Sequence, residues 1–258
     1  MLLKDVLKTI DGICPFVLQE EWDNCGLQIG DPDKEIGNVL VAFDLTSAVV
    51  EEAVEKGVDL VITHHPFFFK GIRTIDISTA KGKMIRDLIV SGIAVVACHT
   101  NLDKVGYGVS VVLGKELGLC DCRPFMAEGE DIGFGVIGKV EDMTLAAFAQ
   151  KVKEALGIPA LRVVGDENAM VATVVAMGGA GSDFMFDAKG MGADVYVTAD
   201  LKYHDGQLGA EMGLCLIDAG HFETEAAVLA PFTEKLAKAM PDLRFEQAEN
   251  VLSYWKIL

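Results

Sequence analysis

The sequence predicts an α/β protein of two similar lobes, and three observations carry that prediction. Short, nearly all-apolar runs alternate with amphipathic stretches of ~10 residues, the pattern of βαβ units whose parallel sheet is covered on both faces. The cycle runs twice, once before and once after a polar, proline-containing segment around Pro124 to Asp131. All five histidines sit in short polar segments that close apolar runs, most with carboxylates beside them. Such positions, just beyond the carboxyl ends of strands, are where open α/β sheets place ligands.

Taken in order, residues 39–44 read as an apolar strand and 47–56 as a helix that stops at Gly57. Residues 59–63 form a second strand, stopped by His64, His65 and Pro66. Residues 80–90 are helical, 93–98 a strand, and 109–117 a helix ended by Gly118. The second cycle has strands at 134–140, 160–164, 171–177 and 195–198 and helices at 144–156 and 183–189. Residues 214–218 then lead into a long helix over 224–240, and a final β-like segment ends in Tyr254 and Trp255. The expected first lobe is residues 1–127, completed by 218–258, and the second is 128–217.

Composition excludes several classes. With 51% hydrophobic residues among 258, the chain can bury a sizeable core and still leave apolar surface for self-association. The net charge of −17 disfavours nucleic acid and anionic lipid, whose binding relies on Lys and Arg. Asp5 and Asp11 interrupt the amino-terminal apolar residues, unlike a signal peptide. The longest apolar run, 88–98, is far short of a membrane span. Six cysteines without an export signal read as reduced thiols, so the expected location is the cytoplasm. Cys120-Asp121-Cys122 could hold a soft metal, but without a second pair it reads as small apolar residues.

The histidine segments point to metal, because neutral imidazole plus carboxylate suits hard-to-borderline divalent ions. His64 and His65 are adjacent, so they share one site only if the strand stops there, as Pro66 encourages; otherwise each faces its own ion or they simply form a surface turn. His221 and Glu225 lie four apart at a helix start, on one face, whereas Glu223 turns away. His99 and Asp103 share a turn. His99 is a ligand, an orienting residue or a general base by spacing alone, and His204 is equally ambiguous. Gly178-Gly179-Ala180-Gly181-Ser182 reads as a tight turn rather than a phosphate cradle: Phe184 stands where a dinucleotide fingerprint needs glycine, and Asp183 would compete with a phosphate.

Six ordered motifs then carry a resemblance: Glu21-Trp22-Asp23-Asn24 with Gly26-Leu27, Thr63-His64-His65-Pro66, His99-Thr100-Asn101-Leu102-Asp103, the glycine-rich segment, Asp194-Val195-Tyr196-Val197-Thr198, and Asp218-Ala219-Gly220-His221-Phe222-Glu223-Thr224-Glu225. From about residue 20 to the carboxyl terminus the series resembles the Nif-three-like family, often labelled GTP cyclohydrolase 1 type 2 homologues, in its short form. The resemblance implies a dinuclear metal site in the cleft between two α/β lobes, assembled as a ring of six subunits. It implies His64, His65, Asp103, His221 and Glu225 as ligands of two divalent ions per chain (zinc, iron, manganese or similar). It leaves His99 and His204 as catalytic candidates. Two departures bear on the cleft: Ala199 replaces the glycine of a Thr-Gly-Asp turn, and 104–110 lacks Gly-Gly-Val-Asn.

The implied activity is metal-dependent hydrolysis of a nucleotide, such as opening of the guanine ring of GTP, or of a phosphoester. A non-catalytic metal-handling protein or interaction scaffold is the reading from a different class.

Overall fold

A computed structural model describes residues 1–250 and 253–255. It divides into two compact units, one of Met1–Leu102 with Leu229–Leu252 and the other with Asp103–Val228 as its body. The fold is α/β with two sheets, as expected.

The first unit carries strands β1 (Gly26–Ile29), β2 (Asn38–Ala42), β3 (Leu60–Thr63), β4 (Ala94–Ala97) and, last in the chain, β11 (Arg244–Gln247). Among the described residues they form a five-stranded sheet of order β1-β4-β3-β2-β11. The four strands other than β1 are mutually parallel, and β1 closes the edge antiparallel to β4. β3 and β4 are buried along their whole length, which is why they read as unbroken apolar runs. Helices Ser47–Lys56 and Ala80–Val90 start where Thr46 and Thr79 accept a backbone N–H, the usual N-cap device. Gly57 ends the first of these in the left-handed conformation. Leu3, Val6 and Ile10 line the buried stripe of helix Leu3–Ile13, at helical spacing.

The second unit carries β5 (Cys120–Ala127), β6 (Gly133–Thr144), β7 (Arg162–Val164), β8 (Met170–Ala180), β9 (Val195–Ala199) and β10 (Cys215–Asp218). Their order is β5-β6-β8-β9-β10-β7. Helix Leu145–Leu156 sets Leu145, Phe148 and Val152 into one cluster with Val174 and Val197, while Tyr196, Phe125 and Met185 belong to another.

The structure departs from expectation in several places. The sheets are mixed rather than all parallel: β5, β6 and β8 pair antiparallel, as do β7 and β10. The segment 124–131, expected as a boundary, is a hairpin: β5 pairs with β6, and Glu128 N donates to Ile132 O (2.9 Å). Pro124 is tolerated there because β5 is an edge strand, and the compact units divide at Leu102 instead. The helix expected over 224–240 is broken into His221–Glu225, a 3-10 turn at Ala226–Val228, and Leu229–Ala239. A continuous helix would need an N–H at Pro231 to reach Ala227 O, and proline has none. Among the described residues the final strand is Arg244–Gln247, while Tyr254 and Trp255 lie exposed outside regular structure. Among the described residues no helix is long and apolar enough to cross a membrane.

Candidate metal centre

In the first unit the parallel strands stop together, and their ends gather three imidazoles. His64 and His65 follow β3 directly, and His99 follows β4 by one residue beyond Cys98. The strand does stop at the histidine pair: His64 N and His65 N both turn to Phe43 O (3.1 and 3.2 Å), and Thr63 Oγ1 donates to His65 O (2.7 Å). The two rings therefore do not splay to opposite faces. Their centroids lie 4.8 Å apart, and His99 stands edge-on to both at 5.3 and 5.2 Å. Each of the three offers a nitrogen within 4.8 Å of the others, a cluster that could hold a metal ion.

Each ring is gripped from behind. His64 Nδ1 meets Cys98 O (3.0 Å), His65 Nδ1 meets Asp44 Oδ1 (2.8 Å), and His99 Nδ1 meets Asp23 Oδ1 (2.9 Å). A carbonyl or carboxylate oxygen only accepts, so Nδ1 carries the proton in each case and Nε2 keeps its lone pair. That is the tautomer a metal-ligating histidine needs, fixed by the oxygen behind it. Asp23 is the more enclosed of the two carboxylates, with no exposed side-chain surface. Burial alone would push its carboxyl up. Donors from His99, the Thr100 hydroxyl and the Cys25 thiol outweigh that and hold it well below the usual carboxylate range.

The second unit repeats the device. His221 opens helix His221–Glu225, and its Nδ1 meets Asp200 Oδ2 at 2.8 Å. Its Nε2 lies 3.1 Å from Glu225 Oε2. With Nδ1 as donor, a neutral imidazole and a carboxylate face each other as two acceptors. That contact is repulsive unless positive charge lies between them, from a second ring proton or from a cation. Two ligand atoms about 3 Å apart form one edge of a coordination shell with bonds of about 2.0–2.2 Å, so the donor set fits a divalent ion.

Glu225 is seated by the glycine-rich segment, which has no phosphate-cradling form. Gly178 and Gly179 lie just before the last residue of β8, and a Cβ at Gly179 (φ +66) would lie 2.2 Å from Glu225 Oε1. Gly179 N donates to Thr224 Oγ1 (3.0 Å), and Thr198 Oγ1 donates to Gly179 O (2.9 Å). Gly181 is required because a Cβ would strike Tyr196 Oη and Thr198 Oγ1 at 2.3 and 2.4 Å. Gly179 thus leaves room for the Glu225 carboxylate, and Gly181 for the Tyr196 and Thr198 hydroxyls.

Asp103 lies half-buried on the short helix Thr100–Lys104, where the second unit begins. His204 lies exposed on the first turn of helix Tyr203–Met212, its Nδ1 3.3 Å from Gln207 Oε1. It is not among the described residues grouped as possible metal ligands. Of the two family departures, Ala199 is accommodated. It is buried within β9, and the left-handed conformation falls on Asp200 (φ 58). Sequence reasoning missed Asp44, Asp23 and Asp200 as orienting acids. Two of them, Asp44 and Asp200, carry the same positional signal as the histidines, since each lies just past a strand end.

The fold and this site define a two-sheet α/β protein with histidine–carboxylate clusters at strand ends. The family model described as Duf34/NIF3 (NGG1p interacting factor 3) matches residues 1–252, and the chain belongs to that family. A Clostridium perfringens protein named GTP cyclohydrolase 1 type 2 homolog is 37% identical over 246 residues, covering 93% of each chain. The crystal structure of a hypothetical protein from Staphylococcus aureus is similar at TM-score 0.95 and 31% identity, covering 100% of this chain and 99% of that one. A Bacillus cereus protein related to NIF3 shares the fold at TM-score 0.95 with 24% identity, over the same shares of the two chains.

Proposed function

We propose that this chain is a metal-dependent hydrolase whose ligands for two divalent ions are His64, His65, Asp103, His221 and Glu225. The observation that carries the reading is the orientation of four imidazoles. His64, His65, His99 and His221 each have an oxygen acceptor within 3.0 Å of Nδ1, so each presents Nε2 as a lone pair. Divalent ions bound there would supply Lewis acidity and a water acidic enough to ionise near neutral pH.

The chain's own contribution to proton transfer is the His99–Asp23 pair. His99 Nε2 accepts a proton from the attacking water, and the Asp23 carboxylate on Nδ1 stabilises the imidazolium that results. His204 is the second candidate for such a role, reaching solvent from its exposed turn. The substrate class is a nucleotide, with guanine-ring opening as in the name carried by the Clostridium perfringens relative, or a phosphoester. The working form is a cytoplasmic homo-oligomer, six-membered by family resemblance, held together through apolar surface.

The test starts from metal analysis of the native protein, then turnover of GTP and phosphoesters with each metal restored. Replacing His221 or Glu225 with Ala should strip metal, while Glu223→Ala should not; equal metal in all three sinks the ligand set. His99→Ala should lower turnover by ~10²-fold or more with metal retained, and loss of metal would make His99 a ligand. Sedimentation at micromolar concentration showing a monomer would refute the assembly. Absence of turnover by the fully metallated protein would favour a non-catalytic metal-handling role.

A further inference from the structure

Two large aromatic side chains beside the histidine cluster are left in solvent. Trp22 is 57% exposed and Phe69 46% exposed, yet their rings touch at a centroid distance of 5.6 Å. Both also meet His99, Trp22 edge-on at 6.1 Å and Phe69 at 5.9 Å. Folding gains little from half-buried rings of this size, so their position asks for another reason.

Loose loops do not explain them, because the backbone beside each is tied down. Asp23, next to Trp22, is the enclosed acceptor for His99 and Thr100. Glu20 N donates to Thr100 Oγ1 (3.0 Å) and Cys25 N to Gln19 Oε1 (2.9 Å) on either side of it. Phe68, next to Phe69, donates its N–H to Gln28 Oε1 (3.1 Å) and accepts from Asn24 Nδ2 (2.6 Å). The segment that orients His99 thus also fixes Trp22, and it reaches across to fix Phe69. The planes of Trp22 and Phe69 are inclined by only 35°, so the two rings make a shallow wall with an imidazole edge at one side.

The geometry points to a seat for a planar heteroaromatic ring, with Trp22 and Phe69 as its wall and His99 at its inner edge. The nearby ammonium of Lys81 is engaged with Phe67 O (2.5 Å) and lies over the Phe67 and Phe68 rings. That ammonium is already partnered, so the wall offers aromatic faces to a flat uncharged ring rather than a cation to a phosphate. A π face accepts any base by stacking. The substrate class this selects is a nucleobase or its nucleoside rather than a bare phosphoester. Trp22 and Phe69 determine specificity, and the inference rests on the histidine cluster being the reaction centre.

The chain has two tryptophans, so Trp255→Phe leaves Trp22 as the only reporter. In zinc-loaded protein, guanosine should quench its emission saturably and ribose 5-phosphate should not. Equilibrium dialysis should show guanosine affinity falling about 5- to 150-fold in Trp22→Ala and in Phe69→Ala, the range of base–aromatic stacking. Trp22→Phe should lose less, and zinc content and melting temperature should be unchanged in all three. Unchanged guanosine affinity in both alanine variants overturns the inference, as does ribose 5-phosphate binding as tightly as guanosine. A Trp22→Ala protein that dissociates in sedimentation while binding guanosine normally overturns it too, since the wall would then join copies of the chain. Zinc is measured separately. Failure of the wild type to take up zinc, iron or manganese refutes the proposed function, and guanosine dialysis of the metal-free protein still decides whether the wall binds a ring.

Discussion

Removing the carboxylate behind His65 is the most direct test of how the site is held. Asp44→Ala deletes the acceptor 2.8 Å from His65 Nδ1 and touches no proposed ligand atom. Loss of such an orienting partner costs about 10- to 100-fold in metal affinity, or roughly 1.4–2.7 kcal/mol. The structure sets where in that range the effect falls. The Asp44 side chain is 41% exposed, so water can take over as acceptor, and the loss should lie near tenfold. Asp200, 56% exposed behind His221, should behave alike. Asp44→Asn should fall between wild type and alanine, because the amide can present its oxygen or its NH2 group. The NH2 orientation would force the wrong tautomer. Gln207→Ala is the control, since its contact with His204 is long and exposed. Zinc affinity measured by competition with a chromophoric chelator at neutral pH reads all four variants, with a thermal melt to check folding. Wild-type affinity in both Asp44→Ala and Asp200→Ala would refute the argument that these acids orient ligands.

Two further expectations concern stability. Gly179→Ala should destabilise by roughly 1–3 kcal/mol from backbone strain at positive φ and should also reduce bound zinc, because its Cβ collides with Glu225 Oε1. Gly157→Ala, equally left-handed but with nothing near its Cβ, should show the strain in a urea titration without the zinc loss. Glu52→Gln should weaken the attachment of the chain after β11. Glu52 accepts from Lys56 Nζ (2.8 Å), Glu249 N (3.0 Å) and Asn250 Nδ2 (3.0 Å). Burial opposes its charge, but those donors win and lower its pKa below the ordinary 4.5. A lowered folded pKa stabilises above the unfolded value and loses that stabilisation as pH falls through the folded one. The gap between wild type and Glu52→Gln in urea midpoints should therefore be full at neutral pH and close below about pH 4.5. A gap independent of pH would refute the ionic account.

What the sequence showed, and what it hid, follows from how far each signal reaches along the chain. β3 and β4 were legible because both their faces are buried, so each is a local run of apolar residues. The histidines were legible because they end those runs. The orienting acids were missed although Asp44 and Asp200 also lie past strand ends, because what marks them is a pairing that is not local: Asp44 reaches His65 across 21 residues and Asp23 reaches His99 across 76. β5 was hidden because most of its residues are exposed and it contains a proline. Helix Tyr203–Met212 was hidden by Gly206 and Gly209, poor helix formers. Gly209 is there because a Cβ would lie 2.5 Å from Leu216 Cδ1. Packing overrode local propensity at that position.

The orienting groups share an origin that bears on the chemistry. Asp44 and the Cys98 carbonyl lie just past β2 and β4 in the first unit, and Asp200 lies just past β9 in the second. Each therefore inherits the rigidity of a strand whose side chains are almost wholly buried. A donor that needs no rearrangement to meet a cation loses little entropy on binding it, which favours a site set before the ion arrives. Asp23 is different, because it comes from the segment ahead of β1 and is fixed by polar bonds to Thr100 and Cys25. His99 is thus backed by a carboxylate that polar bonds, rather than a buried strand, hold in place. Under the proposed function this separates His64, His65 and His221, backed from strand ends, as ligands from His99, whose backing carboxylate stabilises the imidazolium formed when it takes the proton.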